Sequence, residues 1–144
     1  MSVVPILKSV EHVRAYRISP DDTNYFALLL DPQDDDVPFV SVVEIFNVGG
    51  KTPPNVHARA HEMFYVLKGE GIARCDGTEA RVAQGDVLLL PPGGMHVVEN
   101  TGTGKLYCLT TMVPNEDFAE LIRAGEPVAL DAEDIAVLTG RTPG

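Results

Sequence analysis

The sequence predicts an all-β fold, a sandwich or closed barrel with short helices at its C-terminal end, on three observations. Short apolar runs rich in Val, Ile, Leu, Phe and Tyr recur along the chain, separated by Gly, Pro, Asn and Asp. Two such runs are joined by the dipeptide Asp76-Gly77, a two-residue hairpin signal, since a type I′ turn needs positive φ at both central positions. Helical spacing of apolar residues sets in only after Pro114.

Taken in order, strands are expected over Asn24–Leu30, Pro38–Val48, Met63–Leu67, Ile72–Cys75, Val87–Leu90 and Leu106–Val113. Many short strands with frequent turns suit a sandwich or barrel. The acidic segments Asp21-Asp22 and Asp34-Asp35-Asp36 are expected as solvated loop tips; they lack the Gly and Glu spacing of a calcium-binding loop. After Pro114 a helix is expected over Asn115–Ala124, with Phe118, Leu121 and Ile122 on one face and Gly125 as its stop. A second is expected from an Asp131 N-cap to Gly140, burying Ile135 and Leu138. Residues 141–144 are expected to fray. The whole, residues 1–144, reads as one domain, with a barrel over about 24–113 and a helical segment over 114–140.

Composition excludes several partners. Lys and Arg number 11 against 21 Asp and Glu, a formal charge of −10. Such a chain repels nucleic acid and anionic membranes. No apolar run approaches the roughly 20 residues of a membrane helix. Met1–Val10 lacks a basic region followed by an apolar stretch, so no signal peptide is expected. Cys75 and Cys108 lie in unrelated contexts and are expected as reduced, buried thiols, with the cytoplasm as the default compartment.

Chemistry concentrates in mid-chain, where His57, His61 and His96 accompany Glu62. Imidazole and carboxylate are common ligands of first-row divalent metals. Alternation along a strand puts Glu62, Phe64 and Val66 on one face and Met63, Tyr65 and Leu67 on the other. His61 and Glu62 therefore point to opposite faces unless a bulge intervenes, whereas Asn55 and His57 can share one.

The spacing of these residues resembles the two motifs of the cupin superfamily. The first, G-x5-H-x-H-x3–4-E-x6-G, is met by Gly49, Asn55, His57, Glu62 and Gly69, with Asn55 in the slot of the first His. The second, G-x5-P-x-G-x2-H-x3-N, is met by Gly85, Pro91, Gly93, His96 and Asn100. The resemblance implies a double-stranded β-helix, or jelly-roll, barrel. It also implies one divalent transition metal (Fe, Mn, Ni, Cu or Zn) held by Asn55, His57, Glu62 and His96, with His61 as the alternative ligand if the loop bulges. An amide oxygen is a weaker and harder ligand than imidazole, but two His and one carboxylate remain, the donor type of non-haem iron(II) oxygenases.

Other residues carry weaker signals. Lys51 and Arg59 fall near the barrel mouth by sequence and can meet an anionic substrate, although most such residues are simply solvated. Tyr65 and Tyr107 are candidate substrate-binding groups, although strand tyrosines more often pack. Glu44, inside the apolar run Val42–Phe46, is expected to face solvent or to meet Lys or Arg across the sheet, with a catalytic acid as the lesser alternative. Met63 and Met95 read as gap fillers and His12 as structural. Two functions compete: a metal-dependent enzyme on a small organic substrate, with dioxygenase chemistry first and isomerase, lyase or decarboxylase chemistry next, and a non-catalytic small-molecule-binding module. A homodimer is expected, because the strand-like stretch Val3–Leu7 carries apolar residues that one small barrel need not bury.

Overall fold

The structure of the protein, a computed structural model, describes residues 2–141. Of the expected frayed tail, residues 142–144 lie outside the described ones. Ten strands form: β1 (Arg14–Arg17), β2 (Asn24–Leu30), β3 (Val40–Phe46), β4 (His61–Lys68), β5 (Glu70–Cys75), β6 (Thr78–Ala83), β7 (Val87–Leu90), β8 (His96–Asn100), β9 (Leu106–Val113) and β10 (Glu126–Val128). Among the described residues three short α-helices, α1 (Pro32–Asp35), α2 (Phe118–Arg123) and α3 (Ala132–Thr139), and a 3-10 turn over Val10–His12 accompany them. A seven-stranded sheet runs β10-β1-β2-β3-β9-β4-β7 and faces a three-stranded sheet β6-β5-β8; every pairing is antiparallel. This is the double-stranded β-helix expected from the motifs.

Local chemistry explains the layout. The β5–β6 turn holds Asp76 at φ 46° and Gly77 at φ 82°, the left-handed pair that the hairpin requires. Residues 50–55 run beside β8 as an irregular continuation of the smaller sheet. Thr52 donates its amide to the Val98 carbonyl at 2.9 Å, and Asn55 and His96 exchange backbone bonds at 3.1 and 2.9 Å. The amide of Asn100, which closes the second motif, donates to the carbonyls of Phe46, Asn47 and Gly104, tying β8 to the end of β3.

Alternation sorts the side chains. On β3, Val40, Val42, Glu44 and Phe46 face the smaller sheet, while Val43 and Ile45 face outward. Phe46, Phe64, Val66, Leu90, Leu106 and Val98 fill one end of the barrel. Toward the other end, Phe26, Met112 and α2, through Ala119 and Ile122, build a second core beside an open cavity. The outer face of the large sheet is covered by Val137 and Leu138 of α3. A reciprocal capping box between Asp131 and Asp134 starts α3, and Gly140 at φ 68° stops it, as the sequence predicts.

Several expectations are corrected. Of the acidic segment at residues 34–36, Asp34 and Asp36 are exposed as expected, but Asp35 is not. Asp35 ends α1 and is buried, taking the Lys8 ammonium at 2.7 Å and the Asp31 amide at 3.0 Å. Val3–Leu7 forms no strand and lies exposed. The first C-terminal helix is shorter than expected, because Glu116 and Asp117 adopt left-handed φ of 49° and 63° and make a loop before Phe118.

Candidate functional site

The cavity lies at one end of the barrel, has a volume of about 660 Å³, and is lined by both motifs. Its polar centre is formed by His57, Glu62 and His96. Glu62 reaches it because inward alternation on β4 continues from Phe64 and Val66. His96 opens β8 just after the Pro91–Gly94 turn, in which Gly93 at φ 93° donates its amide to the His57 carbonyl at 2.8 Å. That bond fixes the two histidine segments against each other. The Nε2 atoms of His57 and His96 lie 3.4 and 3.3 Å from the same oxygen, Glu62 Oε1, with ring centroids 5.2 Å apart.

This donor set fits a metal ion. Two ligand atoms bound at about 2.1 Å in tetrahedral or octahedral geometry stand roughly 3.0–3.4 Å apart, and the observed separations fall there. His96 Nδ1 lies 3.4 Å from the Gly94 carbonyl, so a proton held on that side leaves the Nε2 lone pair pointing inward. On the outer side of His57, Glu116 Oε2 is 4.0 Å from Nδ1. The hydrogen bond that His57 donates to Glu62 raises the His57 pKa above its ordinary value against the opposing pull of burial. Burial works to raise Glu62, but its hydrogen bonds with His57 and His96 outweigh that and hold the carboxyl below its usual range.

The remaining sequence candidates are placed as follows. Asn55 lines the cavity mouth, with Nδ2 3.4 Å from His57 Nε2. His61, the alternative donor, is exposed, points away from buried Glu62 by strand alternation, and lies outside the three-residue cluster. Arg59 does not line the cavity; its side chain is 78% exposed, and its backbone amide donates to Glu116 Oε1 at 2.7 Å. Lys51 lines the cavity. Tyr65 lies on the outer face of β4 and does not reach the cavity. The expectation for Tyr107 is corrected: it is fully buried on the outer face of the large sheet and donates its hydroxyl to Asp134 at 2.6 Å, a bond that secures α3.

Glu44 is corrected as well. It neither faces solvent nor meets a cation. It points into the barrel, lines the cavity and accepts a 2.9 Å hydrogen bond from Asn24 Nδ2. Burial, helped by the negative charge of Glu62 and opposed by the Asn24 bond, pushes its pKa up to about 8. Sequence reasoning missed Asn24, Phe26, Met112 and Glu116 as cavity residues. The inward phase of β2 and β9 was available for the first three; Glu116 arrives through a left-handed loop that reads as helix in sequence.

Residues 42–112, which carry the whole cluster, match the family model described as the cupin domain. An uncharacterized protein of Methanocaldococcus jannaschii is 34% identical over 70 residues, 49% of this chain and 56% of its own length. The oxalate-binding protein of Thermotoga maritima is 32% identical over 69 residues, 44% of this chain and 57% of its own. The chain thus spans little more than half the length of these curated relatives. Among solved structures, a predicted oxalate decarboxylase of Thermotoga maritima superposes with TM-score 0.68 at 23% identity, covering 76% of this chain and 99% of that one. An RmlC-like cupin of Shewanella frigidimarina gives TM-score 0.64 at 21% identity, covering 80% and 96%. At these identities the structures speak for the fold alone.

Proposed function

This chain belongs to the cupin family, and on that footing we propose that it is a metal-dependent enzyme. His57, Glu62 and His96 hold one divalent first-row ion, Fe, Mn, Ni, Cu or Zn, and a small organic substrate occupies the adjoining cavity. The observation that carries this reading is the convergence of two imidazole nitrogens on one carboxylate oxygen at 3.3 and 3.4 Å. Asn55, an amide at the mouth, would be a weaker donor than the imidazole whose slot it fills, so His57, Glu62 and His96 would carry the binding. When bound, the ion supplies Lewis acidity or, for a redox-active metal, a site for dioxygen. The two-His, one-carboxylate set ranks dioxygenase-type chemistry first. Isomerase, lyase and decarboxylase chemistry follows, and the name of the Thermotoga relative, an oxalate-binding protein, lends support to a small-molecule ligand in the cavity.

The chain's own residues do the rest. Phe26, Phe64, Met112 and Phe118 give the substrate an apolar wall and exclude water from its inner side. The Gly94 carbonyl takes the outer nitrogen of His96 and orients its ring, and the Glu116 carboxylate lies near the outer nitrogen of His57. The second reading, a binding module without catalysis, draws on the same cavity. Metal analysis of freshly purified protein separates them: about one ion per chain supports the enzyme, and metal-free protein that still binds a small molecule supports the module. The exposed apolar arm at Val3–Leu7 favours a homodimer. The two free thiols suit a reducing compartment such as the cytoplasm.

A further inference from the structure

The cavity wall carries a second polar pair that metal binding does not use. Glu44 sits on the inner face of β3 between Val42 and Phe46, is 2% exposed, and faces Phe26 and Cys108 across the sheet. Among the described residues its one hydrogen-bond partner is Asn24, on Oε2; Oε1 has none. Asn24 is itself buried and takes the Thr23 hydroxyl on Oδ1 at 3.2 Å, which turns its amide nitrogen toward Glu44. Burying a carboxyl with no cation is costly, and a residue serving only the core would be apolar, as its neighbours Val42, Val43, Ile45 and Phe46 are. Glu44 also lies outside the three residues whose donor atoms converge. The remaining charges at the cavity are one-sided: Asp22, Glu116, Asp117 and Glu120 against Lys51.

We propose that Glu44, steadied by Asn24, is a substrate-contacting residue, and that the substrate chelates with one end and presents a hydroxyl, not a second carboxylate, with the other. The proposal rests on the metal-holding reading of His57, Glu62 and His96. A hydroxyl both donates and accepts, so it pairs with the free Oε1 whichever proton Glu44 holds. A second carboxylate there enters a cavity lined by Asp22, Glu116, Asp117 and Glu120 against Lys51 alone, an arrangement that penalises the wrong ligand.

The test uses the full chain loaded with Zn(II), as wild type, Glu44→Gln and Glu44→Leu, titrated with 4-hydroxybutyrate and with succinate. The two probes share a four-carbon skeleton and a chelating carboxylate and differ at the far end. Wild type is expected to bind 4-hydroxybutyrate about tenfold more tightly than succinate, the worth of one buried hydrogen bond. Glu44→Gln keeps an acceptor for Asn24 and is expected to narrow that preference to about threefold or less at unchanged zinc stoichiometry. Glu44→Leu is expected to abolish it; should that variant fail to fold, Glu44→Gln carries the comparison. Wild type that binds succinate as tightly as 4-hydroxybutyrate, or binds neither, overturns the inference while leaving the metal site standing. So does an unchanged preference in Glu44→Gln. Wild type that takes up no metal overturns the metal reading and this inference with it.

Discussion

His96 joins the second motif to the cluster, and its surroundings make it separable from the fold. Its ring reaches Glu62 from a turn set by Gly93 backbone geometry, and its own backbone bonds to Asn55 do not depend on the imidazole. His96→Ala is therefore expected to lower metal affinity by about a hundredfold or more while leaving the thermal transition of the metal-free protein within a few degrees. Equilibrium dialysis and a melting curve on the same sample read both. Asn55 is the converse case. Its amide already lies 3.4 Å from His57 Nε2, so Asn55→His places an imidazole at the edge of the cluster and is expected to tighten binding about tenfold, with His61→Ala neutral. A large loss in His61→Ala with no gain in Asn55→His overturns this ligand set. At this scale the cluster was legible because motif spacing and strand phase agree on His57, Glu62 and His96. Glu44 was half legible: its oddity in an apolar run was visible, but its partner Asn24 lies 20 residues away on another strand. Tyr107 was misjudged because β9 is buried on both faces, so inward and outward residues look equally apolar.

The elements that close the cavity are tied by charge as well as packing. Asp31 caps α1 by accepting the Asp34 amide, and the Arg123 guanidinium of α2 donates to the same side chain. Phe118 and Leu121 of α2 line the cavity, so this clamp fixes one wall. Burial works to raise Asp31, but the Asp34 amide and Arg123 prevail and hold the carboxyl below its ordinary value. A depressed carboxyl contributes stability that is present above its unfolded pKa and lost as pH falls through the folded one. Asp31→Asn is expected to cost about 1–3 kcal/mol near pH 7, and the gap between variant and wild type is expected to close below about pH 4. Denaturant unfolding at the two pH values checks it; a gap that persists in acid refutes the charge-based account. Strands β2, β7 and β9 match their sequence bounds because apolar runs and turn residues coincide there. β1 and β10 were not foreseen: Arg14-Ala-Tyr-Arg17 is flanked by arginines, and Glu126-Pro127-Val128 carries a proline at the sheet edge, so neither looks like a strand until the two pair.

For the whole molecule, the exposed arm sets the expectation. Val3 and Leu7 are 97% and 94% exposed, and Val87 and Leu89 stand out on the edge strand β7. Apolar side chains on an arm and an open sheet edge favour pairing of two copies. Light scattering at micromolar concentration is expected to give about twice the 15.5 kDa of the chain, and removal of residues 2–7 is expected to return the monomer. A monomer at every concentration for the intact chain sinks the dimer. One consequence of the filled barrel end reaches beyond assembly. Phe46, Phe64, Val66 and Leu106 plug the far side of the barrel, making the cavity a cul-de-sac whose entrants and leavers share one doorway. If His57, Glu62 and His96 hold an ion, a lodged ligand would bar its way out, and chelator stripping is expected to slow as the cavity fills.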